Sequence, residues 1–333
     1  MMIETRAQAR AGLIGNPSDG YFGKTISFTL ANYSAKVVCY ESPRVVISPQ
    51  PSDRREFDSL GGLTEHVTRF GYYGGVRLIK ATLKRFGDEC RRRGIELPSR
   101  HCSIEYSSNI PVRVGLAGSS AIVTATMLAL MRFYEVELPR PELPNVILSV
   151  ERDELGIGAG LQDRVAQVYT GVVFMDFERE YMERHGHGRY DSLDPNLLPP
   201  LFVAFHEQLA EGTELTHNPL RERYDRRDKE VLDAVATWAS LAQQARDAIE
   251  AGRGHEIAEL MNQNFDLRAK VVPISAGNRR LVEIGRGLGA ATKFAGSGGA
   301  IVGVYDGDPE RLARLRQAYE AFGARLVEPI LRA

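Results

Sequence analysis

Hydrophobic positions in this chain change their period several times, and each change marks an element. Residues 25–39 alternate and are rich in β-branched and aromatic side chains, which predicts a long strand; 44–48 predict a shorter one, and 101–106 alternate again. Between them Val76, Leu78, Ile79, Leu83 and Phe86 recur at helical spacing and predict a helix over 75–92. Residues 121–134 are an apolar run without Gly or Pro, the pattern of a buried helix. Residues 145–153 predict another helix and 171–176 another strand.

Beyond 178 the pattern turns polar. The stretch 178–200, with His185, His187, Pro195, Pro199 and Pro200, reads as a connection between two halves. Trp238, Leu241, Ala242, Ala245 and Ile249 then fall at helical spacing, and Ile257, Leu260 and Met261 begin a further helix. A glycine-alanine segment, 285–299, leads into a strand over 300–305, and a last helix over 309–322 opens with proline. Strands mixed with helices, without a regular βαβ rhythm, predict an α+β fold in two lobes, 1–195 and 196–333.

Composition narrows the class. Of 333 residues 43% are hydrophobic and 26% charged, and the formal net charge of −1 gives no overall field for nucleic acid or an anionic membrane. Three cysteines, Cys39, Cys90 and Cys102, have no CxxC pairing and fit a reducing compartment. The N-terminus lacks a signal-peptide core, and no run approaches the ~18 apolar residues of a membrane span. The expectation is a cytoplasmic protein with small-molecule partners, neither nucleic acid nor membrane. Nothing in the sequence speaks to oligomeric state.

Three glycine-bearing turns carry candidate chemistry. In Pro111-Val-Arg-Val-Gly115-Leu-Ala-Gly118-Ser119-Ser120-Ala121 a small-residue loop runs directly into the buried helix. Its N–H groups and the helix's positive end suit an anion such as a nucleotide phosphate, and equally a glycine-rich turn capped by serine. Gly158-Ala-Gly160-Leu-Gln-Asp163-Arg164 places an acid beside a turn, where it suits proton transfer from a substrate hydroxyl or simple capping of the next helix. Gly296-Ser297-Gly298-Gly299 precedes a strand and permits close backbone approach. Glu151 suits Mg²⁺ together with Ser120, or plain solvent exposure. Ser18 to Thr25 nearly spells a phosphate loop, but a strand pattern follows where a helix is required, so it is read as a decoy. His185 and His187 lack a third ligand nearby and read as solvated.

The order of these turns resembles the GHMP kinases: Arg10 to Gly15, Pro111 to Ala121, Gly160 to Asp163, then Gly296 to Gly299. Within that superfamily the wording is most similar to plant-type glucuronokinases. The strings are Gly15-Asn-Pro-Ser-Asp19, Tyr21-Phe-Gly23, Gly71-Tyr-Tyr-Gly-Gly-Val-Arg77-Leu78, Gly156-Ile157, the run from Gly160 to Tyr169, and Lys293-Phe294. Lys24 departs from the resemblance, which leads one to expect arginine there.

The resemblance implies an amino-terminal lobe similar to the second domain of ribosomal protein S5, a ferredoxin-like carboxy-terminal lobe, and a site between them. It implies that Pro111, Gly115, Leu116, Ala117, Gly118, Ser119, Ser120 and Ala121 embrace the ATP phosphates, with Gly296, Ser297 and Gly298 supporting from the second lobe. Ser120, with Ser119 the second choice, and Glu151 are implied to hold Mg²⁺. Asp163 is implied to act on a sugar's anomeric hydroxyl, assisted by Arg10, and Asp19 to bind the sugar. A uronic acid needs a cation for its carboxylate, and Arg77, Lys24 and Arg164 are the candidates. Gly74-Gly75 is expected to leave Arg77 room for a ligand. The implied activity is ATP-dependent phosphorylation of D-glucuronate at its anomeric hydroxyl. The alternatives are another sugar (galacturonate, arabinose, fucose or a heptose derivative) or a catalytically silent relative.

Overall fold

A computed structural model describes residues 1–50, 53, 56–70, 74–209 and 213–332. In chain order the first part contains β1 (Met2–Ile14), β2 (Lys24–Ser42), β3 (Val46–Ile47), α1 (Leu60–Phe70), α2 (Gly75–Arg92), β4 (His101–Ser108), α3 (Gly118–Tyr134), α4 (Leu143–Ser149), α5 (Gln162–Tyr169), β5 (Val172–Asp176), α6 (Arg179–His185) and β6 (Arg189–Leu193). The second contains β7 (Leu201–Phe205), α7 (Thr213–Asp225), α8 (Lys229–Glu250), α9 (Ile257–Val271), α10 (Ala276–Gly287), β8 (Ala291–Phe294), β9 (Ala300–Val304), α11 (Pro309–Ala321) and β10 (Arg325–Val327).

The long strand β2 organises the first sheet. One edge pairs along its length with antiparallel β1; the other takes β5 against residues 24–28 and β4 against 35–42. Between these two, the carboxy-terminal segment fills in: Ala31 N donates to Ile330 O at 2.8 Å, and Ile330 N donates to Asn32 Oδ1 at 2.8 Å. From Tyr33 to Cys39 the strand alternates buried and half-buried, as a sheet with one wet face does. Thr25 to Leu30 are buried without a break, because α5 and α8 cover that half. α3 is buried nearly all round and packs across β1 and β2, with α2 beside it.

One expectation is refined and one corrected. The helix over 145–153 is α4 followed by a π-helical turn, Val150–Glu154, and this widened turn carries Glu151. Such turns recur at functional sites because one extra residue re-aims a side chain. The polar stretch 178–200 is not a bare connection: it holds α6 and β6, the edge strand of the first sheet. Only Leu193 of β6 is buried, so an edge strand facing solvent left no apolar alternation to read.

The second sheet is antiparallel in the order β10-β7-β9-β8, the strand order of a ferredoxin-like unit. It grips the β1–β2 connection of the first part. Asn264, on α9, accepts from Gly15 N at 2.7 Å and donates to Asn16 O at 3.1 Å. The buried Lys293 Nζ donates to Gly12 O, Asn16 Oδ1 and Phe294 O at 2.6–2.8 Å. Burial, then the charges of Arg268 and Arg10, pushes this amine's pKa well down. Asn264→Ala would leave two buried main-chain groups unpaired, and an equilibrium denaturant titration is expected to show a loss of about 2–4 kcal/mol.

Candidate active site

A cavity of about 580 Å³ opens where these segments meet. One end is apolar, formed by Leu78, Tyr106, Ile110, Val112 and Ile122; the other is lined by Arg10, Asp19, Glu151, Gln162 and Asp163. The loop leading into α3 forms the wall between them. Arg113, Gly115 and Ala117 take left-handed backbone angles (φ 64°, 73° and 62°), two of them without being glycine. Such strain persists only where surroundings fix it. Here Ala117 O accepts from Gln167 Nε2 at 2.9 Å, Ser120 Oγ at 3.1 Å and Ala121 N at 3.1 Å. The loop is thus clamped just ahead of a helix whose N-terminus favours anions.

The third glycine turn lies directly beneath this loop. A Cβ on Gly115 would come within 2.9 Å of Gly298 O, and one on Gly296 within 2.4 Å of Gly115 O, so neither position admits a side chain without displacement. Arg268 donates to Gly296 O and Ser297 O, both at 2.9 Å, and stacks over the Phe294 ring. Gly296 and Ser297 reach the cavity wall, whereas Gly298 serves as backing for Gly115.

At the polar end four charges alternate. Glu151 accepts from Ser119 Oγ at 2.7 Å and, through its other oxygen, from Arg164. Arg164 also donates to Gly160 O at 2.9 Å and lies 3.4 Å from Asp163 Oδ2. Burial works against its charge, but Glu151 and Asp163 outweigh it and leave its pKa raised. Asp163, in the first turn of α5, accepts from Arg10, whose second nitrogen donates to Ala295 O at 2.6 Å. Arg10 is buried, while the Asp163 side chain keeps 22% exposure toward the cavity. Asp19 sits opposite, against Gly160, where a Cβ would lie 2.4 Å from its Oδ2.

The structure separates the residues expected from sequence. It brings together Arg10, Asp19, Glu151, Asp163, Arg164 and both glycine loops. Ser119, not Ser120, meets Glu151; Ser120 is fully buried and bonded to Ala117 O. Lys24 and Arg77 do not line the cavity. Lys24 stands directly across from Asp176 in the sheet register and pairs with it at 3.3 Å, and with Gln243 at 3.0 Å. Arg77 donates to Leu155 O at 3.2 Å and so braces the segment after the π turn. Gly74 and Gly75 line the cavity, and a Cβ on either would collide with Asp53 or Tyr106, but Arg77 itself turns away to Leu155 O. Residues 71–73 of that string lie outside the described residues. Arg164 is on the wall, but its donors go to Glu151 and Gly160.

Sequence reasoning missed Arg268, Asn264 and Gln162. For the first two a signal existed: Met261, Asn264, Phe265 and Arg268 occupy one buried face of α9, so two polar residues interrupt an apolar stripe.

The sequence matches the family "GHMP kinases N terminal domain" over residues 77–171 and "GHMP kinases C terminal" over 245–325. It is 43% identical over 336 residues to "Probable glucuronokinase 2" of Arabidopsis thaliana, covering 99% of this chain and 91% of that protein. To "Glucuronokinase 1" of the same organism it is 42% identical, over 97% and 91%. Among solved structures, Methanococcus jannaschii mevalonate kinase superposes with a TM-score of 0.69 at 20% identity, over 100% and 98% of the two chains. Lactococcus lactis galactokinase, complexed with galactose, gives 0.74 at 14%, over 99% and 93%. The chain belongs to the GHMP kinases and has their fold. It is an ATP-dependent kinase of that family.

The pKa of Asp19 is pushed up from 3.8 to about 6, by burial first and then by the charge of Asp163, against Arg10. The folded protein therefore holds this proton to a higher pH than the unfolded chain. The stability that goes with it is full below 3.8 and is lost as pH rises through 6. Asp19→Asn is expected to melt higher than the parent at pH 7–8, with the gap closing toward pH 4, as thermal melts across that range would show.

Proposed function

We propose that the chain transfers the γ-phosphoryl group of ATP to the anomeric hydroxyl of D-glucuronate, giving glucuronate 1-phosphate and ADP. The observation that carries this reading is Asp163 on the cavity wall, gripped by Arg10 and sharing that cavity with the glycine loop ahead of α3. The near-full-length likeness to plant glucuronokinases supports the choice of sugar.

Phosphoryl transfer asks little covalent chemistry of a protein; it needs positioning, and positive charge where negative charge accumulates. The loop ahead of α3 offers N–H donors to the phosphates. The apolar end suits a nucleotide base. Asp163 orients the anomeric hydroxyl and takes its proton, which is easier to remove than that of an ordinary alcohol. Arg10 and Arg164 fix Asp163 and place two guanidiniums beside the reacting centre. Ser119 and Glu151 present paired oxygen donors, the set a hard cation such as Mg²⁺ prefers. When bound there, that ion supplies charge neutralisation for the phosphates. The setting proposed is cytoplasmic; among the described residues no helix is long and apolar enough to cross a membrane.

An ADP-release assay over free uronic acids, neutral hexoses and pentoses is expected to give the highest kcat/KM on glucuronate; a better neutral hexose would overturn the choice of sugar. Asp163→Asn should lower kcat by ~10²–10⁴ with the fold intact, the range for losing an acid-base group. Ser119→Ala should raise the Mg²⁺ concentration needed for half-maximal rate about tenfold. Ser120→Ala should leave that requirement alone and lower the melting temperature.

A further inference from the structure

Gln162 opens α5, immediately before Asp163, and lines the cavity at 3% exposure. Its side-chain oxygen is buried and has no hydrogen-bond partner among the described residues. A buried amide oxygen left without a donor costs about 1–3 kcal/mol, so a fold retains one only where something else supplies the donor. Its neighbours make the contrast. Gln167, five residues on in the same helix, spends its amide on Thr124 Oγ1, Ala117 O and Gln8 O. Glu151, Asp163 and Arg164 are likewise engaged with protein groups. The main-chain N–H of Gln162 is directed to Asp19. Of Gln162 itself the side-chain amide is left over, on the wall beside Asp19 and Asp163, and its oxygen is the one buried acceptor among the described cavity-lining side chains without a partner.

Because the residue lines the cavity, a donor that arrives with the occupant would complete it. A polyol supplies O–H donors, and a neutral amide suits an anionic sugar better than a third carboxylate beside Asp19 and Asp163. Building on the sugar-kinase reading, we propose that Gln162 is a specificity-determining residue whose amide hydrogen-bonds a sugar hydroxyl other than the one that receives the phosphoryl group. The residue grips substrate and does not hold the empty protein together.

Gln162→Met keeps the length of the side chain and removes the amide. The ligand-free variant is expected to melt no lower than the parent. Its KM for glucuronate should rise about 3–30-fold, with KM for ATP unchanged and kcat within about threefold. With deoxyglucuronates, removing one particular hydroxyl should cost the parent a similar factor and the variant nothing further. Three results would overturn the proposal: a variant that melts several degrees lower or fails to fold, an unchanged sugar KM, or a parent indifferent to every deoxy analogue. The melting comparison needs no substrate, and the kinetic arms can be run on whichever sugar the panel selects. Failure of glucuronate as the substrate is therefore distinguishable from failure of Gln162 to bind it.

Discussion

The pairing of Arg10 with Asp163 is the constraint on which the site hangs. Arg10 comes from the first strand, Asp163 from α5, and the other Arg10 nitrogen reaches Ala295 in the second lobe. One guanidinium thus sets the distance between three segments remote in sequence. Pairs of this kind contribute little net stability, because taking charges out of water offsets their attraction, but losing one partner costs about 3–5 kcal/mol when the other stays buried. The pair is therefore better read as a specifier of geometry than as a source of cohesion. With Arg10 at 4% exposure and Asp163 open on one side, the cation is fixed and the carboxylate is presented.

The alternation Glu151, Arg164, Asp163, Arg10 extends that logic. Each carboxylate touches a guanidinium, so neither repels an incoming phosphate with a full unbalanced charge. Asp19 alone stands outside the alternation, and burial first, then the charge of Asp163, raises its pKa. Behind the wall Arg268 adds positive charge, and both it and the Lys293 amine, whose pKa burial pushes well down, donate to main-chain carbonyls. The polar end of the cavity is thereby held by guanidiniums whose terminal nitrogens are engaged, which under the proposed function leaves the loop ahead of α3 to meet the anion.

Much of this could be read from sequence where the signal was periodic or made of glycines. The helix at 75–92 appears with those bounds, since an apolar face packs on α3 and its other face is wet. The glycine turns could be read because small residues in loops betray backbone contact, and Gly115 and Gly296 do touch. Side-chain direction could not be read. Adjacent serines face opposite ways at a helix start, and only the packing of α3 decides that Ser120 turns in and Ser119 out. Lys24 resembled a free cation because its neutralising partner, Asp176, lies 152 residues away and becomes adjacent only through sheet register. Arg268 and Asn264 show as polar interruptions of the apolar stripe of α9, but the main-chain groups of other segments that they bind leave no mark in a one-dimensional pattern.

The second lobe, by this account, contributes position more than chemistry. Beside the side-chain bonds of Lys293 and Asn264, its contacts with the first lobe at the site include backbone carbonyls and glycines, Ala295 O on Arg10 and Gly12, Gly298 O against Gly115. Carbonyls are short and rigid, so a shift of the turn at 295–298 moves Arg10 and the phosphate loop together. A long side chain in the same place would absorb such a shift by changing rotamer and leave the two ends of the cavity uncoupled. Direct backbone contact, permitted by the absence of Cβ atoms, makes the spacing between phosphate loop and Asp163 a property of the lobe interface as a whole. That spacing is what an in-line transfer requires, since reacting atoms must meet at about 3–3.5 Å and an error of about 1 Å is costly.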